Sequence, residues 1–113
     1  METSKLTGAA LDWAVAKCEG VINGDDLDIG FILERGYTPS TDWAQGGAII
    51  EREKINLSVQ FYGWVASHGK YRNREMNQPF YTQKDITPLI AAMQCYVCSK
   101  MGDDIEIPEE LNV

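Results

Sequence analysis

Cys95 and Cys98, separated by two residues, are the first groups in this chain whose spacing could do chemistry. Thiolates so placed bind zinc or cycle between thiol and disulfide. With Cys18 and the lone His68 they make four residues of zinc-ligand type. The setting argues against a metal. Both Cys95 and Cys98 fall within a segment that carries helix start and stop signals. Structural zinc draws its paired cysteines from a tight turn, and redox pairs sit at a helix N-terminus. Three cysteines are also an odd number and too few for a disulfide framework. All three read as reduced, buried, small apolar residues. Neither a metal nor a cofactor is expected.

His68, next to Gly69, reads as a surface residue in a turn, with hydrogen bonding to a ligand as its functional alternative. Asp42 has the chemistry of a general base, but an Asp in a turn beside a Trp is more commonly a cap. No Ser, Cys or His has the local setting of a known nucleophile such as GxSxG, and the phosphate-binding patterns GxxxxGK[ST] and GxGxxG are absent. These residues do not spell an enzyme. The richer inventory is aromatic and basic: Trp43, Tyr62, Trp64, Tyr71, Phe80 and Tyr81 are interleaved with Lys70, Arg72 and Arg74. Stacking faces with guanidinium groups suit nucleobases and phosphates. The competing reading places Trp64 and Phe80 in the core and the basic residues in solvent.

Charge narrows the ligand class. The 113 residues carry a formal charge of −7, which argues against generic binding to duplex DNA. Residues 63–84 nevertheless sum to +3, leaving −10 for the rest. A basic patch on an acidic protein suits a small anionic ligand or an acidic partner. The length fits one domain, 1–113, with residues 103–113 as an acidic tail. No apolar run approaches the roughly 18–20 residues of a membrane span, and the start lacks the pattern of a secretory signal, so a cytoplasmic protein without membrane contact is expected.

The elements that would position these groups follow from periodicity. Leu11, Ala14, Val15 and Cys18 form an apolar stripe at helical spacing, with Thr7 as N-cap, or an earlier start at Thr3 or Ser4, and Gly20 as stop; Trp13 lies off its centre, at the edge of the core. Asp25, Asp26 and Asp28 read as a solvated acidic loop, since the twelve-position calcium pattern is incomplete. Residues 29–35 fit either a short strand or a helical turn. Tyr37–Gly47 is a turn-rich loop in which Gly46 and Gly47 allow positive φ or a close backbone approach. Ala48–Arg52 and Ile55–Phe61 read as a hairpin, the second strand alternating Ile55, Leu57, Val59 and Phe61 with polar residues. Trp64–Ala66 reads as a strand end, Ser67–Gly69 as a turn, and Lys70–Tyr81 as a long loop or irregular hairpin. Residues 86–102 give a second helix, with Thr87 as N-cap, Pro88 at its first position, an Ile86–Ala91 staple and Gly102 as stop. Ile105 and Ile107 would suit a short edge strand.

Three longer motifs carry a resemblance: DWAVAKCEG at 12–20, TPSTDWAQGGAIIERE at 38–53, and TPLIAAMQCYV with GDDIEIPEEL at 87–97 and 102–111. The chain resembles the NinX-like proteins of lambdoid and enterobacterial phages from about Leu6 to Leu111, with 62–85 departing most from the family pattern. The resemblance implies an accessory protein acting in the host cytoplasm and supplies no catalytic residues. The matching positions are Thr41 to Gly47 and Thr87-Pro88.

The expected fold is α+β, a small antiparallel sheet packed against two helices, with the Tyr37–Gly47 loop against the start of the second helix. The backbone amides at 87–90 would form an anion site under that loop. The expected function is non-enzymatic binding of a small anionic ligand, with a nucleotide as the leading candidate. Thr41, Asp42, Trp43, Gln45, Gly46, Gly47, Trp64, Arg72 and Thr87 are its candidate ligand-binding residues. The alternative is an interaction protein that inhibits a host protein through an acidic surface. A nucleotide hydrolase would instead require Asp42 or His68. An exposed Trp or an edge strand would suit a homodimer.

Overall fold

Thr87 and Pro88 start the helix on which the other elements pack. The Thr87 hydroxyl accepts from the Ile90 amide at 3.1 Å, and Pro88 occupies the first turn, where its missing N–H is not needed. The computed structural model describes residues 2–21, 36–60, 63–68, 87–102 and 104–111. Within them the elements are α1 (Gly8–Cys18), α2 (Trp43–Glu53), β1 (Ile55–Gln60), β2 (Gly63–His68) and α3 (Pro88–Met101), with short 3-10 turns at Thr3–Lys5 and Glu109–Leu111. The acidic 25–28 loop, the 29–35 segment, the Lys70–Tyr81 loop, Arg72 and the Ile86 end of the staple lie outside the described residues.

Helix α3 is central. It packs against α1, α2 and both strands, and every residue from Ala91 to Cys98 is buried. A helix covered all round shows no one-sided stripe, so its apolar residues exceed one face. Gly102 ends it at φ +85, donating its N–H to the Cys98 carbonyl at 2.9 Å. The chain start is tied to this helix. Thr3 Oγ1 donates to the Gly102 carbonyl at 2.8 Å, Gln94 Nε2 donates to the Leu6 carbonyl at 2.7 Å, and Glu2 and Asp104 form an isolated antiparallel bridge. Beyond that bridge the tail is not a strand. Ile105 and Leu111 instead sink into the core.

In α1, Leu11, Ala14 and Val15 are buried as their spacing demands, and Gly20 takes φ +74 after the last turn. Thr7 holds the cap position without a side-chain cap bond. Trp13 is not at the core's edge. It is 2% exposed, because α1 is covered on one side by α3 and on another by the 37–41 segment, whose Ser40 amide donates to Asp12 Oδ1 at 2.9 Å.

The largest departure from expectation is α2. Ala48–Arg52, expected as a strand, forms its second half, so a third helix joins the two expected. Asp42 Oδ1 accepts from the Ala44 amide at 2.9 Å, and Gln45 Nε2 bonds back to Asp42 Oδ2 at 2.9 Å. Asp42 thus caps the helix at the Ala44 amide, and the Gln45 side chain, three residues on, braces the capping carboxylate. Once the helix is started, Gly46, Ile49, Ile50 and Glu53 share its inner face, and the strand preference of Ile49-Ile50 yields to burial against α3. Lys54 closes α2 in the left-handed conformation, φ 55, and turns the chain directly into β1.

Strand β1 therefore pairs with β2, not with 48–52. The register runs antiparallel from Ile55 opposite His68 to Gln60 opposite Gly63. Directly opposed residues share a face, so Ile55, Leu57 and Val59 lie with His68, Ala66 and Trp64. The alternation seen in the sequence fades along β1: Ile55 is buried, Leu57 half-buried and Val59 68% exposed. The fold is α+β, with a two-stranded antiparallel sheet packed against helices.

Candidate functional site

The Thr38–Gln45 segment is a strapped turn. The Thr41 and Asp42 amides both donate to the Thr38 carbonyl, and the Thr38 amide donates to Gln45 Oε1 at 3.0 Å. Gln45 Nε2 also reaches the Gly36 carbonyl at 3.0 Å. Asp42 and Gln45 thus spend their polar atoms holding the turn and starting α2. Gly46 and Gly47 both have ordinary helical backbone, without positive φ. Of the two uses open to them, Gly46 takes close approach. A Cβ there would meet the Pro39 carbonyl oxygen and come within 2.6 Å of Leu89 Cδ1. At Gly47 it would lie 3.8 Å from Trp43 Cε3, an ordinary contact.

That close approach sets the start of α2 against the start of α3 and leaves a recess of about 180 Å³ between them. Ser40, Thr41 and Trp43 line one side, and Thr87, Pro88, Leu89 and Ile90 the other. Trp43 stands 55% exposed, uncommon for so large an apolar side chain in a small protein. Among the described residues, no Lys, Arg or His appears in the lining. The first turn of α3 offers few donors: Pro88 has no N–H, the Ile90 amide is held by Thr87 Oγ1, and the Ala91 amide bonds the Thr87 carbonyl. Of the amides expected to form an anion site there, those of Thr87 and Leu89 are not taken up by these bonds.

Of the expected site residues, the structure brings Thr41, Trp43 and Thr87 together at this recess. Asp42, Gln45 and Gly46 build the turn and helix behind it, and Gly47 lies beside Trp43 on α2. Trp64 is on β2, half-buried against the core and away from the lining. Arg72 lies outside the described residues. Ser40, Pro88, Leu89 and Ile90 were not among the candidate ligand-binding residues and join the lining where the start of α2 packs against the start of α3.

A second polar cluster also escaped it. His68 is not on the surface in a turn: it is a buried strand residue, and its Nε2 lies 3.1 Å from Glu53 Oε1. Glu53 Oε2 accepts from Arg52 Nε at 3.0 Å, and Arg52 grips Glu19 at 2.9 and 2.7 Å. Tyr96 donates its hydroxyl to the same Glu19 oxygen, with the Arg52 guanidinium 5.6 Å from its ring centre. The bond from Arg52 holds the Glu19 carboxyl below its ordinary value, and the bonds from His68 and then Arg52 do the same for Glu53. Burial, then the Glu19 carboxylate, pushes the Tyr96 phenol up. This network fastens the ends of α1 and α2 to β2 and α3. Apart from the adjacent Arg52 and Glu53, its bonds join side chains 15 to 77 residues apart, which no local motif displays.

The cysteines behave as small apolar groups. Burial pushes the Cys95 thiol up to about 12, and burial with the neighbouring Glu19 pushes Cys18 up to about 11. Raised in this way, neither thiol has the lowered pKa that marks a reactive cysteine. Among the described residues, no three His, Cys, Asp or Glu side chains are grouped to hold a metal ion.

Fold and site together define a small α+β protein whose most distinctive surface is a tryptophan-walled recess between two helix starts. Residues 2–100 match the family model described as Bacteriophage P22, NinX, and the chain belongs to that family. Among curated proteins, none matches the chain in sequence. Among the described residues, no helix is long and apolar enough to cross a membrane.

Proposed function

We propose that this phage protein acts in the host cytoplasm by binding a small anionic ligand, a nucleotide in the leading case, without turning it over. The observation that supports this reading best is Trp43, held 55% exposed at the mouth of the recess by a turn that spends Asp42, Gln45 and Thr38 on fixing it. A rigid aromatic face beside a concave, mostly apolar lining is an inventory for capturing a ring. Sequestering a nucleotide used in host defence signalling is one role such binding would serve. Calorimetry against a panel of nucleotides, with chromatography of the same mixtures after long incubation, tests it. The expected result is saturable heat and unchanged nucleotide. Absence of heat across the panel, or steady loss of the nucleotide, would end this reading.

A second reading has its own observation. The bridge between Glu2 and Asp104 brings the two ends of the described chain together, with Glu106 and Glu109 also exposed nearby in sequence. An acidic surface of this kind suits a host protein that normally holds nucleic acid. Stoichiometric recovery of one host protein, lost when these four acids are neutralised, would favour it over nucleotide binding.

A further inference from the structure

We propose that the recess receives the flat, uncharged ring of its ligand, a nucleobase-type heterocycle, and leaves the charged end outside. The inference rests on the binding role set out above and names which part of the ligand this site reads.

Size is the first argument. Pockets that enclose a drug-sized ligand span roughly 300–1,000 Å³, whereas an apolar cavity of about 150 Å³ is filled by one benzene ring. At about 180 Å³ this recess takes a ring and little more.

Charge is the second. A phosphate pressed among Pro88, Leu89, Ile90 and Trp43 would lose water, and among the described residues no cation lines the recess to compensate it. The amides that would compensate it are mostly committed. At α3 the Ile90 and Ala91 amides are bonded to Thr87, and Pro88 has none. At α2 the Ala44 amide is held by the Asp42 carboxylate, and the Gln45 and Gly46 amides bond the Asp42 carbonyl.

A ring has no such difficulty. It stacks on the exposed Trp43 indole and covers the apolar side chains of α3's first turn. The hydroxyls of Thr41 and Thr87 at exposed positions of the rim can meet its heteroatoms. Thr87 Oγ1 accepts from Ile90, so its own proton is free to be donated outward.

The test is a titration of the full chain with adenosine, guanosine, cytidine and uridine, with their 5′-monophosphates, and with inorganic phosphate and pyrophosphate as competitors. The expected result is that at least one nucleoside binds within a few-fold of its monophosphate and that neither phosphate competes. Trp43→Ala should weaken binding on the order of ten- to hundredfold, the range of one lost base–aromatic stack, while Trp43→Phe keeps most of it. Circular dichroism of both variants should match the parent, since the side chain is exposed. If monophosphates bind, nucleosides do not and pyrophosphate competes, the ring assignment is wrong and nucleotide binding survives. Undiminished binding by Trp43→Ala would overturn the assignment in the same way. If neither nucleosides nor nucleotides bind, both readings fall.

Discussion

Gly46 and Gly47 are adjacent residues of one helix, and the structure predicts opposite outcomes when each becomes alanine. In a helix interior, alanine is favoured over glycine by about 0.5–1 kcal/mol. Gly47→Ala should gain that amount, because its new methyl meets only the Trp43 ring at 3.8 Å. Gly46→Ala gains the same propensity but drives its methyl into the Pro39 carbonyl and to 2.6 Å from Leu89 Cδ1. Leu89 can shift its side chain, whereas the Pro39 carbonyl belongs to the turn fixed by the Thr41 and Asp42 amides. Overpacking of this kind costs about 1–3 kcal/mol, which outweighs the propensity gain. The two variants should therefore separate by roughly 2 kcal/mol, near 10 °C in melting temperature for a chain of this size. Thermal melts followed by far-ultraviolet circular dichroism measure it. If Gly46→Ala is as stable as Gly47→Ala, then α2 does not approach α3 as described and the recess between them is misdrawn.

Two further perturbations probe the polar framework. Arg52→Met strands the Glu19 and Glu53 carboxylates side by side. Their pKa values are lowered in the fold, so their stabilisation is present above about 4.5 and is lost as pH falls through the lower folded values. Because Arg52 is half exposed, the loss should be only about 1 kcal/mol at pH 7, shrinking near pH 4; urea titrations at both pH values showing equal penalties would contradict this. Asp12→Ala leaves the buried Ser40 amide without its acceptor and should cost about 1–3 kcal/mol, while Asp12→Asn, which keeps an acceptor oxygen, should cost less. Burial raises the Asp12 pKa above 3.8, so the parent should gain on Asp12→Asn as pH falls through the carboxyl's folded value and lose ground as pH rises; a difference independent of pH would refute it.

How much of this was legible in the sequence depended on whether a signal was local. Thr87-Pro88 and Gly102 announced α3 because capping is decided by neighbours, and both caps behave as their chemistry requires. Asp42 with Gln45 was an equally local N-cap signal, but two glycines and the Ala-Ile-Ile run after them read as turn and strand. Helix there depends on Ile49 and Gly46 facing α3, a partner more than forty residues away. His68 reads as a turn residue beside Gly69, and only its register with Ile55 carries it to Glu53. For the candidate site, Trp43 and Thr87 stood out by type and setting. Leu89 and Ile90 did not, since nothing local distinguishes a recess-lining apolar residue from a core one.

Trp43 as the wall of a binding site is most directly tested by its own indole N–H resonance. Proton–nitrogen spectra of the labelled chain should show an indole signal for each of Trp13, Trp43 and Trp64, and the peak missing from Trp43→Phe assigns Trp43. On titration with the best-binding nucleotide of the panel, the Trp43 peak should move saturably while those of Trp13 and Trp64 stay in place. A titration in which Trp43 stays still, or in which Trp64 alone responds, would contradict the placement of the site.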